Sequence, residues 1–97
     1  MTRATICMRT PVEGRVEIKG HAGNALICAA ISTLAGAALN VLGEAAENVV
    51  YESGDVRFDV RLTDGIQMGA LDVLIEGLSM LEERFSDRVG VTLIRPE

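Results

Sequence analysis

The sequence between Val12 and Leu34 reads VEGRVEIKGHAGNALICAAISTL, and the spacing of its apolar residues changes midway. Val16 and Ile18 alternate with charged residues, which is typical of a β-strand with one solvent-facing side. Beyond two closely spaced glycines, apolar residues recur at steps of three and four, which indicates a helix. Asn24 suits the N-cap of that helix, because its side chain can accept hydrogen bonds from free backbone N–H groups. The stretch therefore predicts a strand, a short loop and a helix.

The same signals predict the rest of the chain. The predicted elements are strands at 4–8 and 12–20, a helix from 25 to about 43 or 46, strands at 48–52 and 56–62, a helix at 66–85 and a strand at 89–94. Thr63 or Asp64 is expected to cap the second helix. This ββαββα(β) order predicts an α+β fold, a two-layer sandwich in which both helices cover one face of a mainly antiparallel sheet. A chain of 97 residues rarely holds two cores, so residues 1–97 are expected to form a single domain.

Each helix is predicted to bury one apolar stripe. The predicted buried residues are Ile27, Ile31, Leu34, Ala38 and Val41 or Leu42 in the first helix, and Met68, Leu71, Leu74, Ile75, Leu78, Leu81 and Phe85 in the second. The first helix is strongly apolar, but polar residues interrupt it and the flanking charges of a membrane span are missing. We therefore interpret it as a buried helix of a soluble protein, with no membrane partner.

Charge and cysteine content restrict the classes of function. The net charge of −5 argues against nonspecific nucleic-acid binding, which depends on Lys and Arg neutralising phosphates, and it is compatible with a basic polypeptide partner. The first residues contain no apolar signal segment, so the cytoplasm is the expected compartment. Two cysteines without a secretion signal are predicted to be free thiols. One His and two Cys cannot complete a tetrahedral metal site in one chain, so no metal is expected.

The residues with the most chemical potential are His21, the only histidine, and Cys28. Cys28 lies in the first turn of the predicted helix, where orphan N–H groups and the helix dipole favour a thiolate. His21 lies seven residues earlier, so the intervening loop can fold the imidazole toward the thiol. The same helix start could supply N–H donors to an oxyanion. This pattern predicts nucleophilic catalysis by a Cys-His pair.

The same two residues also have a purely structural interpretation. A cysteine between Ile27 and Ala29 is commonly a small buried apolar residue. A histidine at the end of a strand is commonly a solvated or capping residue. The spacing alone therefore leaves both interpretations open.

Two short motifs resemble the ribosomal-processing cysteine protease family, Prp. The matching residues are Gly20-His21-Ala22-Gly23 and Ile27-Cys28-Ala29-Ala30-Ile31-Ser32. The resemblance implies a cysteine peptidase in which Cys28 is the nucleophile, His21 is the base and Ser32 is a supporting hydroxyl. Gly20, Ala22 and Gly23 are implied as supporting residues, and the enzyme is implied to be a homodimer without a cofactor.

The resemblance also implies a substrate. Members of that family remove a short N-terminal extension from large-subunit ribosomal protein number twenty-seven during ribosome maturation, and phage-encoded relatives are implicated in trimming capsid or scaffold proteins. Either precursor's N-terminal segment is therefore an expected partner. The sequence departs from the family pattern because the loop from His21 to Cys28 is shorter and has Asn24-Ala25-Leu26 where an Asp is common. A noncatalytic homologue that only binds a peptide is therefore an alternative.

Overall fold

The sheet begins with a hairpin whose strands follow the alternating pattern. The computed structural model describes residues 1–96. Its elements are β1 (Thr2–Met8), β2 (Glu13–Lys19), α1 (Ala25–Leu42), a 3-10 turn (Gly43–Ala45), β3 (Ala46–Glu52), β4 (Asp55–Arg61), α2 (Gly65–Arg84) and β5 (Val89–Ile94). The predicted order of strands and helices is confirmed, and most predicted boundaries lie within about two residues of the observed ones.

The five strands form one mixed sheet in the order β3-β4-β2-β1-β5. Both hairpins and the central β2–β4 pair are antiparallel, whereas β5 pairs parallel to β1. The predicted α+β class and the mainly antiparallel sheet are therefore confirmed. Both helices pack against each other on one face, and alternate strand residues such as Ile6, Val16 and Phe58 are fully buried beneath them.

The N-caps follow the sequence prediction closely. Asn24 caps α1 by accepting hydrogen bonds from the backbone N–H groups of Leu26 and Ile27. Asp64, rather than Thr63, caps α2 by accepting from the N–H of Gln67. Because these caps satisfy orphan donors, they fix where each helix begins.

The predicted apolar stripes are correct in part. The buried residues of α1 are Ile27, Ile31, Ala35, Ala38 and Leu42, and those of α2 are Leu71, Leu74, Ile75 and Leu78. Leu34 and Leu81 are only partly buried, and Met68 and Phe85 are exposed. The small side chain of Ala35 lets α1 lie close to the sheet, so Leu34 turns toward the neighbouring helix instead.

The outer side of α1 differs from the buried helix that its sequence predicts. By length and apolar composition alone the segment Ala25–Ala45 could cross a membrane, and only 28% of its most apolar window is buried inside the protein. Leu26 is 83% exposed and Val41 is 52% exposed. The reason is geometric, since a single sheet can cover only one side of a helix.

The face of the sheet opposite the helices carries a charge network around Asp59. Its carboxylate accepts hydrogen bonds from Asn48 and Arg15, each at 2.9 Å, and Arg15 also donates to Glu17. The hydrogen bond from Asn48, followed by the one from Arg15, holds the pKa of Asp59 below its ordinary value of 3.8. A lowered carboxyl pKa stabilises the fold above the ordinary value, and this contribution is lost as pH falls through the lowered pKa.

We expect Asp59→Asn to destabilise the protein slightly at pH 7, by less than about 1 kcal/mol because the network is partly solvent-screened. Urea unfolding of the parent and the variant should show this difference at pH 7. The difference should shrink as the pH falls through the pKa of Asp59. A stability gap that persists or grows in acid would contradict this assignment.

Candidate active site

A cavity opens beneath the start of α1, between the helix and one end of the sheet. Its lining residues come from β1, β2, the loop between β2 and α1, α1 itself and the β3–β4 hairpin: Thr2, Ile18, Gly20, His21, Cys28, Ile31, Ser32, Glu52, Ser53, Gly54, Asp55 and Val56. The two residues predicted as nucleophile and base thus line the same cavity. The fold brings them together because β2 ends beside the β3–β4 turn and only five residues separate β2 from α1.

Cys28 is a half-buried free cysteine in the first turn of α1. Part of its side chain packs against the apolar core, while the cavity gives access to the rest. Its backbone N–H donates to the carbonyl of Asn24 at 3.0 Å, which is the first hydrogen bond of the helix. The thiol is therefore held on a rigid element yet remains reachable from solvent.

His21 is exposed, and its imidazole ring lies against Gly54 in the β3–β4 turn. A Cβ atom on Gly54 would lie 2.5 Å from Nε2 and 2.7 Å from Cε1 of His21, so the ring or the turn would have to shift to accept it. Gly54 also has a positive φ of 75°, which favours glycine. The ring therefore occupies space that exists only because position 54 has no side chain.

Within residues 1–96, no hydrogen bond joins Cys28 to His21. Hydrogen bonds between catalytic groups are often long or misaligned in sites without substrate, and they tighten when substrate binds. The roles of Cys28 as nucleophile and His21 as base therefore remain predictions, based on their shared cavity.

More of the backbone N–H groups at the start of α1 already have hydrogen-bond partners than the sequence suggests. The side chain of Asn24 accepts from Leu26 and Ile27, and its main-chain carbonyl accepts from Cys28. An oxyanion can use the first two donors only if the Asn24 amide oxygen releases them. The cap that defines the helix start thus competes with the predicted oxyanion site.

Ser32 lies one helical turn after Cys28 and lines the same cavity, with its side chain exposed. Its main-chain carbonyl accepts a 2.6 Å hydrogen bond from the hydroxyl of Tyr51 on β3. Tyr51 therefore ties the edge strand to the helix face that carries Cys28. The sequence does not reveal this contact, because nothing near Tyr51 indicates which helix it meets.

The three supporting loop residues have distinct surroundings. Gly20 lines the cavity, and its N–H donates to the Gly54 carbonyl at 2.9 Å. Ala22 is buried, whereas Gly23 is exposed. The buried Thr2 hydroxyl donates to the Gly20 carbonyl at 3.2 Å. The loop is thus attached both to β1 and to the β3–β4 turn, and the sequence gives no sign of either attachment.

Two carboxylates line the cavity although none stands just before Cys28. Asp55 is bound by the guanidinium of Arg57, with contacts of 2.9 and 3.1 Å. Glu52 is exposed at the cavity edge. No group of three or more His, Cys, Asp or Glu side chains within residues 1–96 is arranged to hold a metal ion.

Comparison with known proteins assigns the family. The family model for cysteine protease Prp matches residues 1–90. The chain belongs to the Prp family of cysteine proteases. The resemblance of the Gly20–Gly23 and Ile27–Ser32 motifs to Prp is thereby confirmed. No curated protein sequence matches this Prp family member significantly.

Solved structures share the Prp fold. A crystal structure of the ribosomal processing protease Prp from S. aureus, with a covalently linked product peptide, has a TM-score of 0.80 and 17% identity, covering 96% of this chain and 99% of that one. The same S. aureus protease with a substrate peptide gives a TM-score of 0.76 at 16% identity and the same coverages. SMU.848 from Streptococcus mutans gives 0.77 at 22% identity, covering 99% of this chain and 96% of that one. At these identities the likeness shows the fold alone.

Proposed function

We propose that this protein is a peptidase in which Cys28 is the nucleophile and His21 is the general base. The observation that carries the proposal is that the two side chains line one cavity in a member of a cysteine protease family. The position of Cys28 in the first turn of α1 also supports it, because the start of a helix stabilises negative charge that develops during the attack.

In the proposed reaction, His21 takes the thiol proton and Sγ of Cys28 attacks the scissile carbonyl carbon. The C–N bond breaks as His21 returns the proton to the leaving amine, which leaves a thioester on Cys28. Water then attacks the thioester carbonyl while His21 takes a proton from it. The C–S bond breaks, the acid product leaves, and His21 returns the proton to Sγ of Cys28. The N–H groups of Leu26 and Ile27 are the proposed oxyanion donors, provided that Asn24 yields them.

We propose as substrate the N-terminal extension of large-subunit ribosomal protein number twenty-seven. The ribosomal processing protease of S. aureus, which shares the fold and has been crystallised with a substrate peptide, supports this choice. The proposed compartment is the cytoplasm, where ribosomes mature and where free thiols such as Cys7 and Cys28 stay reduced.

The direct test is incubation of the purified protein with the extended ribosomal precursor, followed by intact-mass measurement. Loss of an N-terminal segment at one defined bond is the expected result. A phage capsid or scaffold precursor serves as the second substrate, and cleavage of that precursor alone would replace the proposed substrate. If neither precursor is cut under reducing conditions, the proposed peptidase function is wrong.

A noncatalytic peptide-binding role is the second candidate, because Cys28 and His21 are not hydrogen-bonded and the loop between them is short. The two cysteines distinguish the candidates, since both are half-buried free thiols and only Cys28 lies at a helix start. For a peptidase we expect iodoacetamide to alkylate Cys28 at least about tenfold faster than Cys7 at pH 6 to 7. Peptide mapping by mass spectrometry measures both rates, and equally slow rates would favour the binding role.

We further propose that the outer face of the helical layer is the homodimer interface. No charged residue occurs in α1, and exposed apolar side chains such as Leu26 and Met80 line a groove between α1 and α2. A second groove, lined by Val41 and Val73, continues along the same helix pair. Together they follow a helix about 27 Å long, which suits a standard-sized protein interface.

Sedimentation equilibrium should give about twice the chain mass of 10.3 kDa. Val73→Glu is expected to shift the equilibrium to monomer, because it places a charge in the proposed interface where Val73 is 65% exposed in the single chain. Ile94→Glu is the matched control, since Ile94 is also exposed but lies on β5. Dissociation of the dimer by Ile94→Glu but not by Val73→Glu would overturn this interface. A monomeric parent protein that binds lipid vesicles would overturn it as well.

A further inference from the structure

The loop that joins the proposed base to the helix of the proposed nucleophile is bound by a residue from the far end of the chain. We propose that Arg88 is a positioning residue. By binding the loop, it keeps the His21 side chain near Cys28 before substrate binds. This inference rests on the proposed peptidase function. Its structural part, the attachment of the loop, can be measured without any substrate.

The contact itself is a charge-assisted hydrogen bond. Nη1 of Arg88 donates to the main-chain carbonyl of Ala22 at 2.8 Å, across 66 residues of sequence. Ala22 is only 3% exposed, so little water competes for this carbonyl. Hydrogen bonds with an ionised donor are among the stronger ones in proteins, especially when they are sheltered.

The main chain of Arg88 is fixed on both sides. Its N–H donates to the carbonyl of Phe85 at 2.8 Å, and its own carbonyl accepts from the N–H of Thr2 at 2.9 Å. The hydroxyl of Thr2 in turn holds the Gly20 carbonyl. Arg88 is therefore anchored to the end of α2 and to β1, so its guanidinium can act as a rigid attachment point for the loop.

Gly23 leaves room for the close approach of Arg88. A Cβ atom on Gly23 would lie 3.0 Å from Nη1 of Arg88, and the φ of Gly23 is 71°. The bond to Ala22 fixes the peptide plane between Ala22 and Gly23. Ala22 follows His21 directly, and Gly23 directly precedes the Asn24 cap. Without this bond, the loop can rotate and carry the imidazole away from Cys28, so only a fraction of molecules would hold the assembled pair.

Arg88→Ala is the test, and the parent protein is measured in parallel. We expect kcat for the extended precursor to fall about ten- to hundredfold, the factor expected from losing a charged hydrogen bond, while KM changes less than about twofold. Millimolar guanidinium ion should restore part of the lost kcat. Hydrogen exchange of the amides at residues 21–24 should become faster, whereas exchange in the sheet should not change.

Arg88→Lys should retain intermediate activity, because it keeps one charged donor. Arg3→Ala is the matched control, since Arg3 is exposed on β1 and should affect neither kcat nor loop exchange. If Arg88→Ala does not fold, kcat and loop hydrogen exchange of Arg88→Lys test the role of Arg88 instead. Unchanged kcat and unchanged loop exchange would overturn the role of Arg88. An inactive parent would refute the peptidase instead, and loop exchange would still report whether Arg88 holds the loop.

Discussion

Cys28→Ala is expected to abolish peptide-bond cleavage, with a loss on the order of 10⁴-fold or more. Alanine has no atom that can attack the scissile carbonyl, and no other cysteine or serine in the cavity occupies the first turn of α1. The thioester intermediate should disappear as well. Intact-mass analysis of precursor and enzyme measures both changes.

The substitution should barely change the fold, because Cys28 is half-buried and Ala removes one atom. We expect the free energy of unfolding to change by about 1 kcal/mol or less. Cys7→Ala is the matched control, since Cys7 is a half-buried free cysteine on β1, away from the cavity. Cleavage by the Cys28 variant at the parent rate would remove Cys28 from the mechanism.

Gly54→Ala should lower kcat/KM by about 10²-fold, because the new methyl group would occupy the position of the His21 ring. The imidazole must then rotate away from Gly54 or the β3–β4 turn must move. Either response displaces the proposed base from the cavity. Cleavage assays at several precursor concentrations give kcat/KM for the parent and the variant.

Gly43→Ala separates this effect from general backbone strain. Gly43 also has a positive φ, of 55°, but a Cβ atom there would meet nothing within 4 Å. Both variants should lose stability by roughly 1 to 3 kcal/mol, whereas only the Gly54 variant should lose activity after correction for folded fraction. Equal activity in the two variants would mean that the Gly54 contact does not position His21.

The fold could be predicted because its signals are local. Alternation marks the strands, three- and four-residue spacing marks the helices, and Asn24 and Asp64 mark the helix starts. The buried stripe of α1 is harder to predict, since Leu34 and Ala35 both fit the three- and four-residue spacing. A Cβ atom on Gly77 would lie 2.7 Å from Leu34, so the leucine fills the space between the helices while Ala35 meets the sheet.

The candidate site, like the fold, could be predicted only where its signals are local. His21 and Cys28 could be identified because they lie close in sequence and their chemistry is recognisable. Tyr51, Gly54 and Arg88 could not, since each meets the site through contacts between segments far apart in the chain. Gly54 lies in the β3–β4 turn, and its effect on the site depends on where the His21 ring lies.

The parallel pairing of β5 with β1 has a consequence for synthesis. β1 leaves the ribosome before β5, yet the N–H of Thr2 on β1 donates to the carbonyl of Arg88 next to β5. Contacts between such distant segments form late, because the loop they close is long. The hydrogen bonds that join Thr2 and Ala22 to Arg88 therefore wait for the segment that precedes β5, so the loop that carries His21 is held in place only after that later part of the polypeptide has been translated.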